Sequence, residues 1–148
     1  MACEAEEEYI VSKKAEIAAD LFHNSFNCGQ AIFGAFSEDY GLEKDTALKI
    51  AGGLSSGMRS GEVCGAVAGA VLVIGLKYGH TKRFCYERTE EFTAKFKEEN
   101  KHLACRDLLG YDISTPEGRA KAIEENMFRT ICVDMVVSAA DILVELGY

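Results

Sequence analysis

The sequence predicts an all-α protein, a single-domain helical bundle of about five to seven helices around a buried central helix rich in Gly and Ala. Two observations carry this prediction. Apolar residues recur at spacings of three and four almost throughout, and the 148 residues include one proline, Pro116. We expect one helical domain over residues 1–148, with 1–22 as a peripheral N-terminal helix and 25–148 as a core that holds four cysteines.

Seven helical segments are predicted from the apolar spacing and from residues typical of helix ends. Gly41, Gly79 and Gly110 are expected to end three of them, with Gly79 in the left-handed conformation. Thr115 followed by Pro116 is typical of a helix start. The predicted segments are residues 4–22, 27–39, 44–53, 61–78, 82–101, 103–109 and 115–146, the last with a break near Asn126.

The fourth segment is apolar on all sides, which predicts the buried central helix. Ser60 is expected to be its N-cap. Gly61, Gly65 and Gly69 recur every four residues along it. Such a stripe of small residues favours a close crossing with another helix.

Charge and apolar run length exclude two classes of partner. The formal net charge is -8, from 24 acidic and 16 basic residues, and no basic cluster offers a nucleic-acid surface. The longest apolar run, residues 63–76, falls short of the ~20 residues that span a bilayer. The acidic start does not resemble a secretory signal, so we expect a cytoplasmic protein without membrane insertion. A homo-oligomer is compatible with the sequence.

Six cysteines are the most informative feature of the composition, since structural disulfides are rare in a reducing cytosol. Three of them, Cys28, Cys64 and Cys105, are predicted in the first turn of a helix, where the helix dipole is expected to lower a thiol pKa. Cys132 is predicted in mid-helix on a core face. We expect these four to converge on one buried site and leave Cys3 and Cys85 outside it.

Several segments resemble the C_GCAxxG_C_C family of redox-active proteins. They are NCGQAIFGAF around Cys28, SGEVCGAVAGAVLVIGLKYG around Cys64, HLACRDLLGYD around Cys105, and the lone Cys132. The family label writes Gly-Cys-Ala where this chain reads Cys-Gly-Ala. The resemblance implies a short, single-domain bacterial or archaeal protein with a redox role, associated with oxidoreductase and transport systems.

Three functions are compatible with these residues. In the first, Cys28, Cys64, Cys105 and Cys132 are catalytic in thiol–disulfide exchange or electron transfer with a partner oxidoreductase or small thiol. In the second, the same four thiolates bind a soft metal or an iron–sulfur cluster. In the third, the chain is a helical interaction domain in which the cysteines only pack.

Spacing and neighbouring residues do not decide among these functions. Sequence separations of 36, 41 and 27 between the four cysteines contain no Cys-x-x-Cys and disfavour structural zinc. Three disulfide connectivities stay open. No dinucleotide or phosphate-binding fingerprint is present, so electrons are expected from a partner and no nicotinamide site is predicted. His102, Arg106 and Arg129 lie near cysteines, either as thiolate-stabilising groups or as solvated side chains.

Overall fold

The computed structural model describes residues 11–148 and confirms the all-α class, with eight α-helices in that range. Val63 and Ala104 form an isolated antiparallel bridge, the one strand-like pairing among the described residues. Cys3 and the predicted start of the first helix at residue 4 lie outside this range. The helices are α1 (Lys13–His23), α2 (Cys28–Phe36), α3 (Lys44–Ile50), α4 (Gly65–Tyr78), α5 (Lys82–Asn100), α6 (Cys105–Leu109), α7 (Pro116–Glu124) and α8 (Ile131–Glu145).

Side-chain caps determine where several helices begin. The Ser12 side chain accepts a hydrogen bond from the Ala15 amide, so α1 starts at Lys13. Asn27 and Gln30 form a reciprocal capping box at the start of α2. Thr115 caps α7, with Pro116 in its first turn, as predicted.

The central helix α4 packs against α2, α5 and α8. Its closest crossing is with α2, where a Cβ atom at Gly69 would come within 2.7 Å of the Gly29 carbonyl oxygen. The predicted packing role is therefore confirmed for Gly65 and Gly69. It is wrong for Gly61, which lies before the helix with a left-handed φ of +68°.

For the central helix, the predicted last residue, Tyr78, is confirmed, but the predicted start and the predicted conformation of Gly79 are wrong. It begins at Gly65, with Cys64 and not Ser60 as its N-cap, because the Val63–Ala104 bridge holds the preceding backbone extended. At the other end, Gly79 has a φ of -60° and is not left-handed. The chain leaves α4 through a right-handed turn closed by the Thr81 amide on the Tyr78 carbonyl.

The core is formed where the apolar faces of the helices meet. α1 packs on α2 and α8, and α5 covers α4 and α8. Phe92 and Phe96 point inward from the otherwise charged α5 and are fully buried. Burial of a side chain of this size contributes about 1.5–3 kcal/mol to folding. No helix within residues 11–148 has the length and apolar character needed to cross a bilayer.

Candidate thiol site

All four predicted site cysteines lie at the start of a helix. Cys28 and Cys105 are the first residues of α2 and α6, Cys64 is the N-cap of α4, and Cys132 is the second residue of α8. The mid-helix position predicted for Cys132 is therefore wrong. Asn126 adopts a left-handed φ of 58° and a short 3-10 turn follows, so a new helix begins just before Cys132.

The four thiols line a single cavity of about 220 Å³. Because one water molecule occupies about 30 Å³ in the liquid, this volume is suited to a small molecule or one end of it. The wall is mainly apolar, with a few hydroxyl and amide groups. Its other lining residues are Phe22, Asn27, Ser55, Ser56, Leu109, Ile113 and Phe128.

Two local contacts bring the thiols together. The crossing of α2 and α4 places the sulfur of Cys28 against Gly65, the residue that follows Cys64. The Cys64 amide donates to the Leu103 carbonyl and the Cys105 amide donates to the Glu62 carbonyl, both at 2.7 Å. Backbone pairing therefore joins the starts of α4 and α6.

The cavity has an inner and an outer pair of thiols. Cys64 and Cys105 are only 5% and 7% exposed, and both belong to the hydrophobic core. Cys28 and Cys132 are half-buried. A molecule that enters from solvent therefore meets Cys28 or Cys132 before it reaches the inner pair.

Burial governs the protonation of the outer thiols. It raises the pKa of Cys28 and of Cys132 from 9.0 to about 12 in each case. The charge of neighbouring thiolates also raises the pKa of both thiols. Backbone amides at Gly29 and Ser56 favour the Cys28 thiolate, but their effect is smaller.

The inner thiols interact directly with each other. A hydrogen-bonding contact with Cys105 is the largest cause that raises the pKa of Cys64, and burial adds to it. The amides of Ala66 and Val67 oppose this shift without reversing it. The predicted lowering of the pKa at helix starts is therefore wrong for Cys28 and Cys64, because desolvation at Cys28, and the Cys105 contact together with desolvation at Cys64, exceed the effect of the helix terminus.

The other residues named from the sequence lie apart from the thiols or have different partners. Cys85 is on α5 and does not line the cavity. His102 is exposed. Arg106 donates to the Gly61 carbonyl and pairs with the Glu62 carboxylate. Arg129 lies in a neighbouring open cleft beside Phe22 and Phe128.

Three residues beside the cavity were not predicted. Ser56 lines it, and Arg59 and Arg119 donate hydrogen bonds to the Ser56 hydroxyl. Ser56 and Arg59 belong to residues 52–61, a segment with four glycines shortly before Cys64, and this glycine content was a usable signal. Arg119 is 63 residues away from Ser56 in sequence, and no motif marks it.

Four thiols are a suitable donor set for a soft metal or a cluster. Within residues 11–148, however, no three His, Cys, Asp or Glu side chains are arranged to hold a metal ion. The described residues thus offer no preformed metal centre. A metal role for Cys28, Cys64, Cys105 and Cys132 stays a prediction.

The fold and the site together define a small helical protein with four cysteines around one cavity. Residues 26–146 of the 148 match the sequence profile of the family described as "Putative redox-active protein (C_GCAxxG_C_C)". The chain belongs to this family, and the matched region contains all four cavity cysteines. Neither a curated protein nor a solved structure gave a significant match.

Proposed function

We propose that the protein is a thiol–disulfide redox protein whose four cavity cysteines exchange electrons with a partner oxidoreductase or a small thiol. The observation that carries this proposal is the meeting of four thiols from four helix starts in one cavity. Cysteines that only pack would have no reason to share a cavity. Membership of a redox family supports the same conclusion. Free thiols suit a reducing compartment, and the proposal includes the cytoplasm as that compartment.

The four cysteines are proposed to act as two pairs. Cys64 interacts most strongly with Cys105, which supports an inner pair. Among the thiols that raise the pKa of Cys132, Cys28 has the largest influence, which supports an outer pair. Cys64 also raises the pKa of Cys28, which supports a connection between the two pairs.

In the proposed reaction, Cys28 loses its proton to solvent and attacks an external disulfide. One external thiolate leaves, and a mixed disulfide forms on Cys28. Cys132, after losing its proton, attacks the Cys28 sulfur and displaces the second external thiolate. The protein is oxidised by two electrons, and the external disulfide is reduced to two thiols that take up the two protons.

Exchange inside the cavity then regenerates the outer thiols. The Cys64 thiolate attacks Cys28 and displaces the Cys132 thiolate, and the Cys105 thiolate then attacks Cys64 and displaces the Cys28 thiolate. The two displaced thiolates take up the protons that Cys64 and Cys105 lose, and the disulfide now joins the inner pair. The outer thiols are thereby reduced again and are ready for a second external disulfide. The raised pKa values of Cys28 and Cys132 keep these thiols protonated at neutral pH, which limits adventitious oxidation of the resting protein.

The test is anaerobic oxidation of the reduced full-length protein by 2-hydroxyethyl disulfide, followed by intact mass and peptide mapping after an acid quench. We expect the loss of two hydrogen atoms for each disulfide formed, with Cys64 linked to Cys105. Cys64→Ser should abolish the inner disulfide with little cost in stability. The matched control, Cys85→Ser, should form the Cys64–Cys105 disulfide as the wild type does.

Two results would overturn the proposal. One is the absence of an internal disulfide in the wild-type protein after oxidation. The other is a Cys64→Ser variant that unfolds while oxidation of the remaining cysteines proceeds at the wild-type rate, since this would assign a packing role to Cys64. A native mass that exceeds the chain by metal and sulfide would instead favour the cluster.

A further inference from the structure

Two arginine side chains meet at one hydroxyl group beside the thiol cavity. Nη1 of Arg59 lies 3.3 Å from Oγ of Ser56, and Nη2 of Arg119 lies 3.0 Å from the same oxygen. No carboxylate within residues 11–148 forms an ion pair with either arginine. The two guanidinium groups therefore face each other without a counter-charge from the described part of the chain.

Arg59 and Arg119 lack an acidic partner within residues 11–148, as Arg129 also does, although acidic residues outnumber basic ones in this chain. The chain carries a net charge of -8, so carboxylates are abundant. Arg83, Arg88 and Arg106 each have an acidic partner. Arg119 instead has its pKa lowered by burial and by the charge of Arg59. An anion bound between the two arginines would relieve this repulsion and accept charge-assisted hydrogen bonds.

The arginine pair is directly connected to the wall of the cavity. Ser56 is 8% exposed and lines the cavity, and its backbone amide favours the Cys28 thiolate. The guanidinium of Arg119 also lies over the ring of Phe128, 5.6 Å from its centroid, and Phe128 lines the cavity as well. Arg119 thus contacts two wall residues of the cavity, Ser56 and Phe128, from behind the wall and does not itself line the cavity.

The size and burial of the cavity restrict what can reach the thiols. The volume of about 220 Å³ suits a small compound. The inner thiols are almost fully buried, so the disulfide of a folded partner would contact only the outer pair unless the helices separated. A low-molecular-weight disulfide can instead place its sulfur atoms in the cavity while its polar end stays at the rim.

We propose that Arg59 and Arg119, positioned by Ser56, form an anion-binding site that holds the carboxylate of a small disulfide while its sulfur atoms face Cys28. The substrate class is a low-molecular-weight disulfide that bears carboxylate groups. This inference rests on the thiol–disulfide function proposed above. The reaction is the exchange already described, and the arginines bind and orient the substrate without taking part in electron transfer.

The test compares three disulfides of similar size and different charge. They are 3,3′-dithiodipropionate, which is a dianion, 2-hydroxyethyl disulfide, which is neutral, and cystamine, which is a dication. The second-order rate constant for oxidation of the reduced protein is measured with each. Because these disulfides differ in intrinsic reactivity, the informative quantity is the ratio of dianion to neutral rate constants in each variant, relative to the wild type.

We expect this ratio to fall about tenfold in Arg59→Gln and in Arg119→Gln, as one charge-assisted contact is lost. Arg119→Lys keeps the charge and should recover part of the ratio. Arg83→Gln removes the same charge at an exposed position on α5 and should keep the wild-type ratio. Arg59 is exposed, so its variant remains informative if Arg119→Gln does not fold.

Each remaining outcome decides between the two proposals. The anion site would be overturned, and thiol exchange left intact, if the ratio of dianion to neutral rate constants were the same in the wild type, in Arg59→Gln and Arg119→Gln, and in Arg83→Gln. If the ratio fell in Arg83→Gln as much as in Arg59→Gln and Arg119→Gln, only the net charge of the protein would matter, and the site would again be overturned. No oxidation of the wild type by any of the three disulfides would overturn the proposed function itself.

Discussion

The sulfur of Cys28 lies so close to the backbone of Gly65 that a Cβ atom at position 65 would approach it to 2.3 Å. The same Cβ atom would come within 2.8 Å of the Leu54 carbonyl oxygen. The residue after Cys64 is therefore part of the wall against which Cys28 packs. The close crossing of α2 and α4 and the proximity of two site cysteines have the same structural cause.

Replacement of Gly65 by alanine should disturb both the fold and the site. The added methyl group would clash with the Cys28 sulfur on α2 and with the Leu54 carbonyl oxygen, so α4 must move away from both. We expect a loss of about 1–3 kcal/mol in the free energy of unfolding, measured by urea denaturation. Gly75→Ala on the same helix is the matched control, because a Cβ there meets nothing within 4 Å.

Gly75→Ala should raise the free energy of unfolding by up to about 1 kcal/mol, since alanine has a higher helix propensity than glycine. The reaction of Cys28 with an alkylating reagent should accelerate in Gly65→Ala and stay unchanged in Gly75→Ala. If Gly65→Ala is as stable as the wild type and leaves this reactivity unchanged, the close crossing described above is incorrect.

Stability should decrease at alkaline pH because of the buried thiols. Cys28 and Cys132 bind their protons more tightly in the folded state, where the pKa is about 12, than in the unfolded state near 9.0. The contribution of these two thiols to the free energy of unfolding is therefore complete below pH 9.0 and is lost as the pH rises towards about 12. The slope is at most about 1.4 kcal/mol per pH unit for each thiol.

Urea denaturation of the wild type and of Cys28→Ser at a series of alkaline pH values measures this effect. Tyrosine and lysine titrations are common to both proteins and cancel in the difference. The difference in unfolding free energy should shrink as the pH rises above 9.0. A difference that is constant with pH would mean that the Cys28 thiol titrates normally. Cys85→Ser is the control for loss of a thiol outside the cavity.

The loop before Cys64 contains conformational strain that one substitution should relieve. Met58 is 64% exposed and has a left-handed backbone with φ 57° and ψ 39°. Ser56 and Arg59 in the same loop are also left-handed. Since glycine adopts this conformation without steric cost, Met58→Gly should raise the free energy of unfolding by about 0.5–1 kcal/mol.

Ser60→Gly is the comparison for that substitution. Ser60 is exposed in the same loop and its φ is not positive, so glycine there adds flexibility to the unfolded chain and removes the exposed hydrogen bond from the Ser60 hydroxyl to the Met58 carbonyl. We expect a small loss of stability, measured as a lower midpoint of thermal unfolding. If Met58→Gly and Ser60→Gly changed the stability equally, this would contradict the left-handed backbone at Met58.

Local signals in the sequence predicted much of the fold. The Thr115–Pro116 start and the helix ends at Gly41 and Gly110 depend on neighbouring residues, so they can be predicted from the chain alone. The end of α4 at Tyr78 was predicted, but the left-handed conformation of Gly79 was not confirmed, because glycine can adopt either hand and the chain makes a right-handed turn there. The start of α4 failed because a bridge to Ala104, 41 residues beyond Val63, decides it.

For the candidate site too, some properties follow from the sequence and others only from the tertiary structure. The sequence determined that Cys28, Cys64 and Cys105 lie at helix starts and that Gly65 and Gly69 pack closely, because these properties depend on spacing within one helix. Only the tertiary structure decided which thiols are neighbours, how deeply each is buried and which arginines have no carboxylate partner among residues 11–148. Those properties depend on contacts between segments far apart in sequence, and burial, which sets the thiol pKa, is a property of the packed helices together.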